Sequence, residues 1–201
     1  MYFYSDIDPT PIKNIFNSEN FVNDTFIDAV ENYIKNQQLE KAGFWHSDDE
    51  KNDLDGIRNS EIHWMADEKY KDTLMPLYQE LTSKIRQVND RQWKWIIDGW
   101  EAFQYSEYDE SYKGHYDWHI DYGMKEPNRP FSRKISFSLG ISDRDDYEGG
   151  ELVTKINQKD QSVKLGKGEI FIFPSWMLHK VTPVIRGKRK VIVGWGVGPV
   201  V

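Results

Sequence analysis

Four residues with metal-binding side chains occupy alternate positions in one short stretch of the chain: His115, Asp117, His119 and Asp121. Alternate side chains of a β-strand face the same side, so all four would point to one face of a sheet. Such a face requires either water or a metal ion. The spacing alone makes His115-x-Asp117 and His119-x-Asp121 equally good candidates for a pair of metal ligands, and a solvated strand face is the alternative to both.

A third candidate ligand is His179, the only histidine after this stretch, which follows the apolar segment 171–174. Two histidines and one carboxylate on one side of an iron ion leave three coordination positions open, as in the facial triad of non-haem iron(II) oxygenases. The chain contains no cysteine, which excludes thiolate ligands and disulfides and points away from structural zinc. A histidine that only makes ordinary hydrogen bonds is the alternative for His179.

A basic residue at the start of a predicted strand is the candidate for binding an anionic ligand. Residues 185–188 predict a turn, after which the chain would return as a strand that begins at Arg189. An arginine that points inward from there needs an anion, and its planar guanidinium matches a carboxylate through two hydrogen bonds. The distal carboxylate of 2-oxoglutarate is such an anion. A surface turn with all its basic residues in water is the alternative.

The chain changes character near residue 95, and this change predicts an α+β domain. Helical spacing of apolar residues predicts helices at 20–37 and 69–90, where Pro76 indicates a late start or a kink. Short apolar runs separated by turn residues predict strands at 97–106, 115–121, 133–142, 151–156, 162–165, 169–173 and 189–197. We expect a single domain over 1–201, with 1–95 as mainly helical support behind one face of a sandwich or jelly roll formed by 96–201.

Several motifs follow one another in an order that is typical of one enzyme family. They are Tyr116-x-x-His119-x-Asp121, Gly149-Gly150-Glu151-Leu152, Leu165-Gly166-x-Gly168, Phe173-Pro174-Ser175, and the segment from His179 to Arg189 that Trp195 follows. From about Gln104 to Trp195 the chain therefore resembles the prolyl 4-hydroxylase-like family of 2-oxoglutarate/iron(II) dioxygenases, including its bacterial PKHD-type branch. Within this resemblance, the first motif favours His119-x-Asp121 as the ligand pair.

The resemblance implies a double-stranded β-helix, which is a cupin-like jelly roll, with supporting N-terminal helices. It implies that His119, Asp121 and His179 bind Fe(II) and form the catalytic centre. It implies that Arg189 binds the distal carboxylate of 2-oxoglutarate. The co-substrates implied are 2-oxoglutarate and O2, and ascorbate is a further candidate cofactor.

Two further residues are expected near that carboxylate because of the resemblance. Tyr108 lies near the position of a carboxylate-binding tyrosine of the family, although two extra residues separate it from Tyr116. Gly140 stands where some relatives have a second tyrosine, so Ser136 or Tyr108 is expected to compensate there.

Three residues match positions that contact the peptide in prolyl hydroxylases, and we expect them to bind the substrate: Tyr116, Arg133 and Trp195. Each has a structural alternative. The tyrosine would be a half-buried strand residue, the arginine would pair with the acidic loop 143–148, and the tryptophan would belong to the core.

The implied activity is hydroxylation of a C–H bond, most favourably in a peptidyl proline, with decarboxylation of 2-oxoglutarate to succinate. A peptide or protein is the expected substrate, and a free amino acid or another small molecule is the alternative. A non-redox cupin-like module that binds a metal or ligand is the alternative from another class of protein. A zinc hydrolase would need a general base, for which Glu151 is the nearest candidate.

Composition bears on partners and location. The net charge of −7 disfavours a nucleic acid as partner, because its phosphate backbone would be repelled. The chain has no run of about 18 apolar residues, so no membrane helix is expected. Its start lacks the basic and apolar segments of a signal peptide, so we expect a cytoplasmic location.

Overall fold

The computed structural model describes residues 15–42, 56–122, 131–156 and 159–200, which form two α-helices and fourteen β-strands. The helices are α1 (Asp24–Ile34) and α2 (Lys71–Gln92). The strands of the first part are β1 (Phe16–Ser18), β2 (Glu40–Lys41), β3 (Arg58–Asn59) and β4 (Glu61–Trp64). The other strands are β5 (Gly99–Trp100), β6 (Gln104–Asp109), β7 (His115–His119), β8 (Phe131–Gly140), β9 (Tyr147–Gly149), β10 (Leu152–Ile156), β11 (Lys159–Val163), β12 (Ile170–Pro174), β13 (His179–Val181) and β14 (Val184–Pro199).

Both predicted helices are present, with shorter or shifted bounds. α1 begins after Asn23, whose side chain accepts a hydrogen bond from the backbone N–H of Phe26 at 3.0 Å, as an N-cap does. α2 begins at Lys71 and continues through Pro76, so this helix starts before the proline rather than after it. Within the described ranges, neither helix is both long and apolar enough to span a membrane.

The strands form two antiparallel sheets. The major sheet has the order β1-β12-β8-β14-β6-β4-β2, and β5 and β9 also pair with β14. The minor sheet has the order β11-β10-β13-β7-β3. Two such sheets with two helices confirm the predicted α+β class and the double-stranded β-helix.

The two faces of β8 contact two different hydrophobic cores. Ile135, Phe137 and Leu139 are buried in the core that the major sheet forms with both helices. Ser136 and Ser138 alternate with these residues and therefore point to the opposite face of the sheet. That face meets a second core, whose residues come mainly from β10, β12, β13 and β14. The space between the two sheets is where the predicted site residues converge.

The first part of the chain does more than support the sheets with helices. β1 pairs with β12 and β4 pairs with β6 in the major sheet, whereas β3 pairs with β7 in the minor sheet. Both sheets thus contain strands from 1–95. The change in sequence character near residue 95 does not separate two structural layers.

β14 shows that the predicted turn at 185–188 is wrong. It is one strand of 16 residues that pairs first with β9 and then with β6 and β8. Gly187 has a φ of +74°, and a β-carbon there would lie 1.9 Å from the carbonyl oxygen of Asp146. The glycine therefore bends a continuous strand at a close contact. Arg189 lies inside the strand instead of at its start.

The remaining predicted strands lie where they were expected, but their first and last residues differ from the predicted ones. The predicted strand 97–106 is divided between β5 and β6, and 115–121 ends two residues early, at His119. The sequence pattern missed β9 and β13, which have three residues each. Strands of that length are too short to show an alternation.

Candidate metal and co-substrate site

Three of the predicted residues converge where β7 ends and β13 begins. His119 and His179 are direct partners in the pairing of these two strands. Asp121 lies just beyond β7, where its backbone N–H donates to the carbonyl of Ser175 at 2.9 Å. The Nε2 atoms of His119 and His179 lie 3.8 Å and 3.6 Å from the Asp121 carboxylate oxygens. One ligand atom from each residue lies within 4.8 Å of the others, so the three side chains could hold one metal ion.

Backbone hydrogen bonds orient both imidazole rings for this task. His119 Nδ1 is 2.7 Å from the carbonyl oxygen of Asp117, and His179 Nδ1 is 2.9 Å from that of Met177. A carbonyl only accepts, so each Nδ1 must carry the proton. Each Nε2 then offers a lone pair toward Asp121, which is the arrangement that metal-binding histidines have.

The charges of the cluster suit a divalent cation. Burial and the neighbouring His179 lower the pKa of His119 to about 4, so its ring is neutral at pH 7. Burial acts to raise the pKa of Asp121, but the two histidines and hydrogen bonds from Ser136 and Trp195 lower it overall. A neutral ring and a carboxylate are the protonation states that bind iron(II).

The other predicted ligand pair lies outside this cluster. Among the described residues, the group that could hold a metal ion contains neither His115 nor Asp117. Asp117 is exposed, and His115 Nδ1 is 2.9 Å from the carbonyl oxygen of Lys113. The structure therefore brings together the histidine and aspartate of the second His-x-Asp, although the strand ends before Asp121.

Ser136 contacts the aspartate of the cluster. Its hydroxyl donates to the Asp121 carboxylate at 2.7 Å and lies 3.0 Å from the hydroxyl of Ser175. The sequence predicts Ser136 as a 2-oxoglutarate residue, and in the structure it contacts Asp121 of the cluster. It orients the carboxylate and satisfies one of its lone pairs.

Ser136→Ala is expected to lower metal affinity by roughly 10- to 100-fold, which is typical for loss of a residue that orients a ligand. The variant keeps all three ligands, so binding is weakened instead of abolished. Titration with Mn(II) checks this. Ser142→Ala is a control, since that buried serine bonds the backbone of Lys188 on the same sheet away from the cluster. Unchanged affinity in the first variant would contradict the orienting role.

Arg189 is buried between the sheets without a counterion. It is 2% exposed, and its guanidinium lies 5.1 Å from the centre of the Tyr108 ring. Nη2 is 3.4 Å from the hydroxyl of Ser138, and Nε has no hydrogen-bond partner among the residues that the structure describes. In the described part of the chain, no carboxylate forms an ion pair with it. A buried cation with an unsatisfied donor requires an anion.

Tyr108 lies beside Arg189, since the two are direct partners in the pairing of β6 with β14, and its role in binding 2-oxoglutarate stays a prediction. Tyr147 also reaches the guanidinium, which acts to lower the pKa of that tyrosine against the larger, opposite effect of burial. A side chain at Gly140 has no space, because a β-carbon there would lie 2.1 Å from the carbonyl oxygen of Gly166.

Gly150 shapes the space around Arg189. A β-carbon at Gly150 would lie 3.0 Å from Cδ of Arg189, and its φ of +60° disfavours any L side chain. Gly150→Ala is therefore expected to cost about 1–2 kcal/mol in free energy of unfolding and to shift Arg189. The Kd for 2-oxoglutarate should rise in parallel, as calorimetry can show. Gly56→Ala, where the β-carbon meets no atom of the described residues within 4 Å, is the control.

The three predicted substrate residues lie at this cluster. The Tyr116 ring stacks on His119 at 3.5 Å, with the guanidinium of Arg58 4.7 Å from its centre. The guanidinium of Arg133 lies 3.8 Å from the Trp195 ring, and Trp195 contributes a hydrogen bond to Asp121. Tyr116 and Trp195 thus contact the triad, and Arg133 contacts Trp195.

Arg133 has a partner that the sequence did not indicate. Its Nε and Nη2 donate to the two carboxylate oxygens of Glu101 at 2.9 and 2.5 Å, so the alternative of pairing with the loop 143–148 is wrong. Arg58, Glu101 and Ser138 are the residues that sequence reasoning missed. Ser138 had a signal, since it and Ser136 alternate with the apolar residues Ile135, Phe137 and Leu139. Arg58 and Glu101 come from separate strands and loops and had none.

Comparison with known proteins identifies a family model and relatives that are similar to part of this chain. Residues 103–196 match the model of the 2OG-Fe(II) oxygenase superfamily. A PKHD-type hydroxylase of Synechococcus sp. (strain CC9902) is 42% identical over 80 residues, which are 40% of this chain and 35% of that protein. The matched segment thus spans about a third of the length of this relative.

Two solved structures share the fold. A prolyl-4-hydroxylase of Pseudomonas putida has a TM-score of 0.70 at 17% identity, with 91% of this chain and 92% of that chain covered. A prolyl hydroxylase from Trichoplax adhaerens, in complex with a hypoxia inducible factor oxygen degradation domain peptide fragment, also has a TM-score of 0.70, at 20% identity, with 91% and 83% covered. At these identities the likeness concerns the fold.

Two histidines and one carboxylate, gathered where β7 ends and β13 begins, match the ligand set of the facial triad of non-haem iron(II) oxygenases. The match to the 2OG-Fe(II) oxygenase superfamily covers residues 103–196, a little under half of the chain.

Proposed function

We propose that the protein is a 2-oxoglutarate- and Fe(II)-dependent dioxygenase that hydroxylates a C–H bond, most favourably in a peptidyl proline. His119, Asp121 and His179 hold the metal, and Arg189 binds the distal carboxylate of 2-oxoglutarate beside Tyr108. When bound, the metal and 2-oxoglutarate supply oxidative chemistry in which O2 gives one atom to the substrate and one to succinate, with release of CO2.

One observation carries the proposal: the metal cluster and the buried Arg189 each contact a serine on the same face of β8. Ser136 bonds Asp121, and Ser138, two positions along the same face of β8, meets Arg189. The two serines are roughly 7 Å apart along a strand. A five-carbon dicarboxylate spans such a distance, with one end at the metal and the other at the guanidinium.

The side chains contribute binding, orientation and exclusion of water. The Nδ1–H groups of both histidines stay on backbone carbonyls, so each Nε2 remains available. Ser136 and Trp195 hold Asp121 as a carboxylate. Phe173 packs edge-on against His179 and closes the interior side of the cluster.

A peptide substrate is supported by the border of the site. Arg133 lies against Trp195 with its guanidinium already paired by Glu101, so it does not need a substrate carboxylate. Trp195 and Tyr116 offer aromatic surfaces, which suit a proline ring. The names of the relatives agree with this choice, and a free amino acid or another small molecule is the alternative.

Anaerobic titration tests the proposal. Fe(II) with 2-oxoglutarate should give a weak visible charge-transfer band, and air should then produce succinate. A non-redox metal-binding module would show neither. A screen of proline-containing peptides for an increase of about 16 Da, one oxygen atom, identifies the substrate. Modification of free amino acids alone would favour the small-molecule alternative.

A further inference from the structure

An exposed tryptophan lies next to the candidate metal site and rests on two others. Trp176 is 49% exposed, and its ring lies 4.9 Å from that of Trp95. Trp95 stacks on the buried Trp93 at 5.0 Å, with an angle of 9° between the rings. We call these three residues the tryptophan ridge. It runs from the core near the end of α2 to the surface.

The ridge is fixed at its middle. Asn89, a buried polar residue of α2, donates to the carbonyl of Trp95 at 2.9 Å and accepts from its backbone N–H at 3.1 Å. Both groups of this side-chain amide thus serve one tryptophan. An indole that rests on such a support has little conformational freedom to lose when it binds a ligand.

The exposed end of the ridge is tied to the metal cluster. The carbonyl of Ser175, the residue before Trp176, accepts the backbone N–H groups of Asp121 and Tyr122 at 2.9 and 2.8 Å. The hydroxyl of Ser175 contacts Ser136, which bonds the Asp121 carboxylate. The ridge is therefore continuous with the border of the candidate active site.

We propose that the tryptophan ridge is a docking surface for the polypeptide substrate and binds residues that flank the hydroxylated one. This inference rests on the proposed function and adds a site to it. Trp176 directly follows Ser175, whose hydroxyl contacts Ser136 at the cluster, so residues that flank the reacting one are those that could reach the ridge. Ile96, which is 66% exposed, follows Trp95 and adds apolar surface.

The exposed indole groups of the tryptophan ridge indicate which kind of peptide segment it binds. Exposed indole faces bind apolar side chains and the rings of proline-rich, extended segments. A free amino acid in the site would be too short to reach the ridge. The ridge thus gives affinity to longer substrates only.

Peptides that differ only in length test the proposal. The probes are capped Gly-Pro-Gly and two capped heptapeptides that add Pro-Ala-Pro-Ala before or after it, titrated by calorimetry into protein with Mn(II). One heptapeptide should bind about tenfold more tightly than the tripeptide, the effect expected of an aromatic anchor. Trp176→Ala should remove most of this gain and leave tripeptide binding unchanged. Ile185→Ala, at a residue 73% exposed elsewhere on β14, should leave the gain intact.

Three outcomes overturn the proposal: no peptide binds, neither extension improves binding, or the gain persists in Trp176→Ala. Sedimentation that shows a wild-type dimer and a monomeric Trp176→Ala variant also overturns it, because a second copy would then cover the ridge. A separate titration measures the affinity for 2-oxoglutarate and so tests the proposed function. The peptide titrations are made with and without 2-oxoglutarate, so each idea fails on its own measurement.

Discussion

Replacing Arg189 by methionine is expected to abolish useful 2-oxoglutarate binding and, at the same time, to stabilise the ligand-free protein. Loss of one partner of a buried charged pair costs about 2–5 kcal/mol, on the order of 30- to several-thousand-fold in Kd. Without ligand, however, the guanidinium is buried with an unsatisfied Nε and no described carboxylate. An apolar side chain of similar length removes that desolvation cost, so the free energy of unfolding should rise by about 1–4 kcal/mol.

Calorimetry with 2-oxoglutarate and denaturant unfolding without it measure the two effects of Arg189→Met. Arg186→Met is the matched control, because that arginine lies on the same strand but pairs with Glu148 at the surface. It should change neither quantity by much, since exposed ion pairs contribute little. A destabilised Arg189→Met protein that still binds 2-oxoglutarate would show that the guanidinium has a structural role instead.

The sequence indicated which residues could lie together at the site. It did not indicate the bounds or the pairing of the strands that carry them. Alternation left His115-x-Asp117 and His119-x-Asp121 open, and the family motif favoured the second pair, which the structure brings together with His179. Antiparallel pairing of β7 with β13 makes His119 and His179 direct partners. Such a pairing joins residues 60 positions apart, and no local pattern encodes it.

The errors share a physical cause, which is that local signals were outweighed by tertiary contacts. Arg186-Gly187-Lys188 has turn composition, yet contacts with β9 and the Asp146 carbonyl hold it in a strand. Ser136 or Tyr108 was expected to compensate for Gly140, and the bond of Ser136 to Asp121 was not foreseen because Asp121 lies beyond β7. The contact of Glu101 with Arg133 depends on the loop between β5 and β6, whose course the sequence did not indicate.

Replacing His179 by alanine is expected to abolish metal-dependent turnover. Residues that merely orient a ligand are worth roughly 10- to 100-fold in metal affinity, so removing a ligand itself should cost more than 100-fold. The buried position of His179 offers no nearby substitute, because the described residues contain no further side chain in the cluster. Succinate formation should therefore disappear along with metal binding, and not merely slow down.

His115→Ala is the matched control for His179→Ala, because it removes the histidine of the rival His-x-Asp pair from the same stretch of chain. It should keep metal affinity near that of the wild type. Mn(II) added at 100 times its wild-type Kd should raise the free energy of unfolding of the wild type and of His115→Ala by about 2.7 kcal/mol. It should leave that of His179→Ala almost unchanged. If His179→Ala gains as much as the wild type, or if His115→Ala alone loses the gain, then the metal lies elsewhere and the assignment of the triad must be abandoned.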